Sequence, residues 1–321
     1  MITTALTRRL ELRHPIVCAP MGGVAGGRLA AAVSAAGGLG MLGVGSRTPA
    51  DWIAREAATA RGGGPFGIGL LVWRLLDEPE LLDAAVAERP DAIALSFGDP
   101  APWAGTAKAA GAVVMAQAQD VSSVQRALDA GADVIVAQGT EAGGHTGHVA
   151  TLPLLQAAAP LAELAGTPLV GAGGIGTGAG IAAVLAAGAA GAWVGTRFAA
   201  TAEALGSPRA KARILAAESG ETVHTRAYDL AAGLGWPAEY PGRALRSEFT
   251  DRWHGREAEL AKDPATAAAE LAPAKGGPDP RPVYAGMAAG LVDDLPAAGN
   301  LVARLAADAE TALRRAAAQL R

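Results

Sequence analysis

The chain has 321 residues, half of them hydrophobic and 18% charged, so it has ample apolar material for a core and none of the composition typical of disorder. Its formal net charge of −4 and its scattered lysines and arginines exclude the basic surface that nucleic-acid binding requires. Apolar residues never continue for the roughly 20 positions of a membrane span, and a single cysteine excludes an intrachain disulfide. We therefore expect a cytoplasmic protein without nucleic-acid or membrane partners.

Short apolar runs bounded by glycine, proline or aspartate recur through the first two thirds of the chain and predict buried strands. Alanine- and leucine-rich stretches with helical character separate them, and this alternation predicts a parallel sheet. Eight such units favour an α/β fold of the (β/α)8 TIM-barrel type, with a doubly wound open sheet as the alternative. The predicted strands are 16–19, 39–42, 66–71, 92–95, 112–116, 134–137, 169–172 and 192–195.

The composition changes after the eighth predicted strand. Residues 206–293 carry many charges, several prolines and most of the remaining aromatic side chains, and we interpret them as a mainly helical lid or substrate subdomain. Within this insertion, helices are predicted at 209–217 and 249–261 and a mobile loop at 273–282. A final amphipathic helix at 300–320 is expected to complete a barrel domain formed by residues 1–205 and 294–321.

A glycine-rich segment, 171–178, follows the seventh predicted strand and contains a G-x-G-x-x-G pattern. A dinucleotide-binding fold would have an acidic residue at the end of the next strand, where this chain has Gly-Thr-Arg. In a barrel, the loops after strands 7 and 8 often hold a phosphate through backbone N–H groups. We predict such a site here, with tight turns that bind no ligand as the alternative. The glycines and threonine of this predicted phosphate site are Gly173, Gly174, Gly195 and Thr196.

The segment 136–147, Val-Ala-Gln-Gly-Thr-Glu-Ala-Gly-Gly-His-Thr-Gly, follows the sixth predicted strand. It places His145 among glycines at the barrel end where active sites form. Because such a loop offers the ring little apolar support, we predict a catalytic histidine rather than a structural one. His148 makes an H-x-x-H pair with it, but the sequence supplies no third ligand nearby and we predict no metal site. Cys18 is expected to be a small buried hydrophobe rather than a nucleophile.

Four motifs in the same order resemble the nitronate monooxygenases, formerly called 2-nitropropane dioxygenases. They are the segments 19–23, 137–145, 172–175 and 195–198, each at the end of a predicted strand, and together they span the barrel. The resemblance implies a TIM barrel that binds FMN noncovalently at its mouth. The FMN-binding residues that it implies are Ala19, Pro20, Met21, Gly22, Gln117, Gln138, Gly143, Gly144, Ala172, Gly173, Gly174, Gly195 and Thr196.

The resemblance also implies an activity, the oxidation of alkyl nitronates or nitroalkanes with O2 to a carbonyl compound and nitrite, with His145 as the active-site histidine. The same fold and motifs resemble NADH:quinone reductases and flavin-dependent enoyl-acyl-carrier reductases. An NAD(P)H-dependent reductase is therefore the alternative, and a protein that binds flavin without catalysing a reaction is the third hypothesis. Many members of the family carry Asn in the third strand where this chain has Gly69, and Trp73 and Arg74 are candidates to compensate. The oligomeric state stays open, with a homodimer among the options.

Overall fold

A curved parallel sheet of eight strands forms the centre of the computed structural model, which describes residues 2–272 and 281–320. A smaller antiparallel sheet of three strands lies beside it. In chain order the strands are β1 (Ile16–Cys18), β2 (Gly40–Gly43), β3 (Phe66–Leu71), β4 (Ala92–Ser96), β5 (Val113–Ala118), β6 (Val134–Gln138), β7 (Gly144–His145), β8 (Leu169–Ala172), β9 (Gly191–Val194), β10 (Thr222–Thr225) and β11 (Gly242–Leu245).

The large sheet closes on itself. Its strands are hydrogen-bonded in the order β1-β9-β8-β6-β5-β4-β3-β2, and every pair is parallel. The two ends of this order meet through Leu39, which donates its N–H to the Ile16 carbonyl and accepts the N–H of Cys18, both at 2.9 Å. The predicted TIM barrel with all eight strands is therefore confirmed, and the open-sheet alternative is wrong.

Helices surround the barrel and also make up most of the insertion after β9. None of those that the structure describes combines the length and the apolar composition needed to cross a bilayer. They are α1 (Ala5–Arg9), α2 (Gly27–Ala35), α3 (Ala50–Ala60), α4 (Val72–Leu75), α5 (Glu80–Ala87), α6 (Ala101–Ala109), α7 (Val121–Asp129), α8 (Thr151–Leu164), α9 (Gly178–Ala186), α10 (Thr196–Ala199), α11 (Pro208–Leu215), α12 (Ala227–Ala232), α13 (Glu248–Trp253), α14 (Glu257–Leu260), α15 (Pro264–Glu270) and α16 (Ala298–Ala317), with 3-10 turns at Arg61–Gly63 and Met287–Leu291.

Alternate residues of the strands build two separate apolar layers, as the pleat of a strand requires. Outward-facing side chains such as Ile68 and Ile93 pack against the helices, whereas inward-facing ones such as Met115 and Trp193 fill the barrel. Leu6, from α1, packs into this inner layer. Both faces are covered, which explains why the strands are continuous apolar runs in the sequence.

Cys18 belongs to the outer layer and is completely buried. Burial raises the pKa of its thiol, so the group stays protonated and has no route to solvent. The expectation of a small buried hydrophobe is confirmed.

The insertion contains a feature that its composition does not reveal. Strands β10 and β11 form an antiparallel hairpin, and β11 pairs in turn with β7, with Gly242 opposite His145. The helix predicted at 249–261 is interrupted, because Gly255 adopts a φ of +81° between α13 and α14. Of the loop predicted at 273–282, residues 273–280 lie outside the described residues. The boundaries of the 206–293 subdomain stay a prediction.

Helix α16 packs against α9 and α2 and so completes the outer ring. Its buried side chains include Leu301, Val302 and Leu305, which follow the spacing of one helix face. Gly178 permits the close approach, since a Cβ at that position would lie 2.3 Å from Cβ of Asp308. The helix predicted at 300–320 is observed at 298–317, so it begins two residues earlier and ends three residues earlier than predicted.

We expect Leu301→Ala to lower the free energy of unfolding by about 2–5 kcal/mol, because it removes a fully buried side chain and leaves a cavity between α16 and its neighbours. Leu164→Ala, at an exposed position that ends α8, is the matched control and is expected to change stability by less than about 0.5 kcal/mol. Urea denaturation followed by circular dichroism measures both. Equal midpoints for the two variants would show that α16 does not stabilise the barrel.

Candidate functional site

A cavity of about 600 Å³ opens at the carboxyl ends of the barrel strands. This is the end at which (β/α)8 enzymes carry their active sites, and the volume suits a cofactor or small substrate. Segments that are far apart in the sequence meet here, and their biochemical roles remain predictions. Every residue of the predicted site lines this cavity: Ala19, Pro20, Met21, Gly22, Gln117, Gln138, Gly143, Gly144, His145, Ala172, Gly173, Gly174, Gly195 and Thr196.

Gly69, which stands in β3 where many members of the family carry asparagine, has no space for a side chain in this structure. A Cβ atom at Gly69 would lie 2.3 Å from Cγ of Pro20, so the proline ring occupies the space that a side chain would need. A side chain at position 69 would therefore require the Pro20 ring to shift. Any amide contact that an asparagine would make here has to come from another residue.

Neither candidate for compensation takes that place. Arg74 is buried, and it donates to the carbonyls of Gly45 and Thr48 at 2.6 and 2.8 Å, which fixes the loop after β2. Trp73 packs on Trp236 with ring centroids 5.2 Å apart. Neither residue lines the cavity, so the expectation that they replace the amide is wrong. The sequence could not show that these two side chains point away from the cavity, because their direction is set by contacts with residues that are distant in the chain.

The loops after β8 and β9 present backbone donors to the cavity. Among the described residues, the N–H groups of Gly174 and Gly195 bond to no carbonyl. Gly174 has a φ of +71°, a left-handed conformation that favours glycine. The hydroxyl of Thr196 accepts the N–H of Gly286 at 2.9 Å, which leaves its own proton free to donate. These uncharged donors are of the kind that holds a phosphate.

Gly173 has a different reason to be glycine. Its φ is +106°, and a Cβ would lie 2.7 Å from Oγ1 of Thr151 and 2.9 Å from the carbonyl oxygen of Gly139. The constraint is therefore packing against the loop after β6, and a side chain here would disturb the protein before it met a ligand. A substitution at Gly173 is for this reason a poor test of phosphate binding.

Few charged side chains line the cavity. Within the described chain they are Arg47, Lys211 and Glu141, to which the ionisable ring of His145 is added. The Glu141 carboxylate accepts both the N–H and the hydroxyl of Thr151 at 2.8 Å, so it is committed to the start of α8. Burial lowers the pKa of Lys211, whose ammonium group donates to the Ala202 carbonyl at 3.3 Å. Sequence reasoning missed Lys211, since nothing in the composition of the insertion distinguishes it.

Three glutamines form a chain beside the site. Nε2 of Gln119 donates to Oε1 of Gln117 at 3.2 Å and to Oε1 of Gln138 at 3.3 Å. Nε2 of Gln138 then donates to the His145 carbonyl at 3.2 Å. The amide N–H groups of Gln117 bond to no other described residue and remain available to a ligand. Gln119 was not predicted; its only signal is that Gln117 and Gln119 share one face of an extended segment.

His145 is held far more firmly than its glycine-rich surroundings suggested. Its ring is buried, and Nε2 lies 3.0 Å from Oδ1 of Asp229. The indole of Trp236 stacks on it with centroids 3.4 Å apart and planes within 5°. The expectation of a weakly supported loop residue is wrong, because the support comes from the insertion. In the neutral ring, the carboxylate accepts from Nε2–H and Nδ1 carries the lone pair.

Arg243 ties this arrangement to the barrel. Its side chain is almost fully buried, and Nε donates to the Thr140 carbonyl at 2.7 Å while Nη1 donates to the Thr222 hydroxyl at 3.2 Å. Burial lowers the pKa of the guanidinium, although the group remains charged. The hydrogen bonds join the loop after β6 to the hairpin of the insertion, and so fix the strand that carries His145.

An aromatic cluster covers one side of the cavity. Phe97 meets Trp236 edge-on at 5.0 Å and Tyr240 at 5.2 Å. Phe97 has a φ of +62°, a conformation that is costly for a bulky side chain and that points to a positional requirement. Burial raises the pKa of Tyr284, so its phenol stays protonated beside the His145 ring. The cavity therefore has an apolar wall in addition to its polar backbone donors.

The remaining histidines form no metal site. His224 donates from Nε2 to the Pro241 carbonyl at 2.9 Å, and burial, followed by the charge of Arg243, lowers its pKa to about 4. It packs against His148 with centroids 5.4 Å apart. In the part of the chain that the structure describes, no three His, Cys, Asp or Glu side chains lie close enough to hold a metal ion.

Fold and cavity together define a (β/α)8 enzyme that takes small molecules at the carboxyl ends of its strands. A family model described as nitronate monooxygenase matches residues 3–87 and 78–308. The chain belongs to this family, which confirms the resemblance carried by its motifs and makes the protein a flavin-dependent oxidoreductase.

Individual relatives agree on the family and differ in activity. A nitronate monooxygenase of Paraburkholderia phytofirmans is 32% identical, over 99% of this chain and 97% of that protein. A 5-hydroxy-7a-methyl-1-oxo-octahydro-1H-indene-4-carboxyl-CoA dehydrogenase of Mycobacterium tuberculosis is 33% identical, over 78% of this chain and 68% of that protein.

Two solved structures superpose over almost the entire length of the chain. FabK from Thermotoga maritima is 28% identical, covers 100% of both chains and has a TM-score of 0.86. The nitroalkane oxidase of Streptomyces ansochromogenes is 31% identical, covers 98% of this chain and 100% of its own, and has a TM-score of 0.77.

Proposed function

We propose that the protein oxidises alkyl nitronates or nitroalkanes with O2, forming a carbonyl compound and nitrite, with FMN as the cofactor. The observation that carries the proposal is the placement of His145, fixed by Asp229 and Trp236, in the same cavity as the backbone donors after β8 and β9. The similarity to a nitroalkane oxidase over the whole chain supports this choice within the family. We further propose that it acts in the cytoplasm.

The cavity suits a cofactor with a single phosphate. The free N–H groups of Gly174 and Gly195 and the Thr196 hydroxyl would hold that phosphate, and the amide of Gln117 would meet the ribityl chain or the polar edge of the ring. The backbone of residues 19–22 would lie against the isoalloxazine. When bound, the flavin supplies electron transfer and reaction with O2.

His145 would act on the substrate as a base. With Nε2–H donating to Asp229, Nδ1 is free to accept a proton from the carbon next to a nitro group. The Asp229 carboxylate then stabilises the imidazolium that forms, in the way that a buried acid orients and stabilises a catalytic histidine. A substrate that arrives as the anionic nitronate needs no proton transfer, and the protonated ring would hold its nitro group. The aromatic wall excludes water around this step.

An NAD(P)H-dependent reductase is the second candidate. The TM-score of 0.86 with FabK and the similarity to a carboxyl-CoA dehydrogenase favour it. In that case His145 would donate or hold a proton on a carbonyl-containing substrate instead. The same cavity serves both reactions, so the two candidates differ in what reduces the flavin.

Anaerobic mixing decides between these activities. We expect the flavin absorbance near roughly 450 nm to bleach rapidly with an alkyl nitronate and slowly or not at all with NADH or NADPH. Admission of O2 should then restore the absorbance and release nitrite in amounts that follow the nitronate consumed. Rapid bleaching by a reduced nicotinamide, with no response to nitronate, would replace the oxygenase by the reductase. A yellow protein that reacts with neither the nitronate nor NADH or NADPH would leave only the hypothesis of a flavin-binding protein without turnover.

We expect His145→Ala to retain the flavin and to lose about 10²- to 10⁴-fold in kcat with a neutral nitroalkane, the range of a general base. Asp229→Asn should lose less, because the ring remains present but is no longer paired with a charge. His148→Ala, an exposed neighbour in the same segment, is the control and should retain full activity. Steady-state kinetics with the nitroalkane and with its preformed nitronate measure these effects. Unchanged kcat in a yellow His145→Ala variant would remove this residue from the mechanism.

The phosphate site can be tested at Gly195. A Cβ there would contact Met21 and Ala19 at an ordinary 3.6–3.7 Å, so Gly195→Ala should fold and bind flavin. Gly195→Asp places a carboxylate beside the proposed phosphate, and like-charge repulsion should expel the cofactor. The absorbance ratio of flavin to protein after purification measures both variants. Equal flavin content in the two would contradict the placement of the phosphate.

A further inference from the structure

A second pocket, of about 340 Å³, lies behind helix α11. Lys211 and Ile214 of this helix face the flavin cavity, whereas Arg209 and Arg213 face the second pocket. Positions 209 and 213 are one turn apart on one side of the helix, and 211 and 214 lie on the other. The two spaces therefore share a wall and no lining residue. Its lining residues are Arg209, Ala212, Arg213, Ala216, Glu221, Leu245 and Arg246.

Arg209 carries the clearest sign of a missing ligand. Its Nη1 atom is shielded from solvent and has no hydrogen-bond partner. A guanidinium nitrogen that is removed from water without a partner is unfavourable, and such groups are almost always paired in folded proteins. An anion in the pocket would supply the partner.

The other charges of the pocket leave it positive. Arg213 donates from Nη2 to the Arg246 carbonyl at 2.6 Å, which joins α11 to the end of β11. Arg246 pairs with Asp251, with Nη1 3.1 Å from Oδ1. Glu221 is the one acidic side chain among the lining residues, and its carboxylate accepts the Glu218 N–H at 2.9 Å. With Arg246 balanced by Asp251, Arg209 and Arg213 face the single carboxylate of Glu221, and the pocket keeps a net positive charge.

We propose that this pocket binds the phosphate group of a small phosphorylated compound, with Arg209 as its principal donor. Several guanidinium groups around one space suit a phosphate, which offers more charge and more acceptor oxygens than a carboxylate. The pocket is larger than a phosphate ion requires, and its remaining lining is apolar, from Ala212, Ala216 and Leu245. An organic group attached to the phosphate would pack there.

The test uses the flavin-loaded protein, so that the phosphate site of the cofactor is occupied. Equilibrium dialysis measures the binding of inorganic phosphate, of AMP and of adenosine to the wild type and to Arg209→Gln. Arg55→Gln is the matched control, because it removes the same charge from an exposed position on α3. We expect Arg209→Gln to weaken binding of the phosphate-bearing probes by about tenfold or more, the effect of losing one charge-assisted hydrogen bond. Arg55→Gln should bind as the wild type does.

Each outcome is decisive. Tighter binding of AMP than of inorganic phosphate identifies an organic phosphate as the ligand, and equal binding identifies the phosphate alone. Arg209→Lys should retain part of the affinity, since it keeps the charge without the planar fork. No binding of either phosphate probe at millimolar concentration, equal binding to Arg209→Gln and wild type, or binding of adenosine as tight as that of AMP would overturn the proposal. Flavin content is measured on the same samples, and failure of the nitronate activity leaves this result unaffected.

Discussion

The pairing of β7 with β11 is the constraint on which the site depends. It places Gly242 opposite His145 and Arg243 opposite Gly144, so a two-residue strand beyond the barrel is held by the insertion. Without this contact, the segment after β6 would be a glycine-rich loop free to adopt many conformations. With it, the His145 ring has a fixed carboxylate partner and a fixed aromatic neighbour. The insertion is thus a structural part of the site.

The two sides of the cavity follow different physical rules. On the side of β8 and β9 the donors are backbone N–H groups. Such groups can bind an anion without a buried cationic side chain. On the side of the insertion the wall is aromatic, and His145 with Asp229 forms a buried polar pair inside it. A buried pair of this kind has to be fully hydrogen-bonded to be tolerated. Its partner groups come from separate segments, so the arrangement is rigid only when the whole chain is folded.

Much of the architecture could be predicted because its signals are local. All eight barrel strands are apolar runs between turn residues, and Gly174 and Gly195 stand within two residues of the ends of the strands that position them. The predicted site residues line one cavity for the same reason, since parallel strands bring their carboxyl ends to one edge. The hairpin of β10 and β11 was not predicted, because its strands have four residues each and pair across sixteen intervening ones with a helix between them. The β propensity of four-residue segments predicts strands poorly.

The sequence by itself determined the barrel, the end of the barrel that carries the site and many of the residues that line the cavity there, because period, turn chemistry and strand order are properties of neighbouring residues. Only the tertiary structure decided that the Pro20 ring lies against Gly69, that Arg74 holds a loop, and that Asp229 and Trp236 support His145. These contacts join residues that are distant in the chain. Their formation depends on how side chains pack and on how the insertion packs against the barrel. Neither can be predicted from a local sequence pattern.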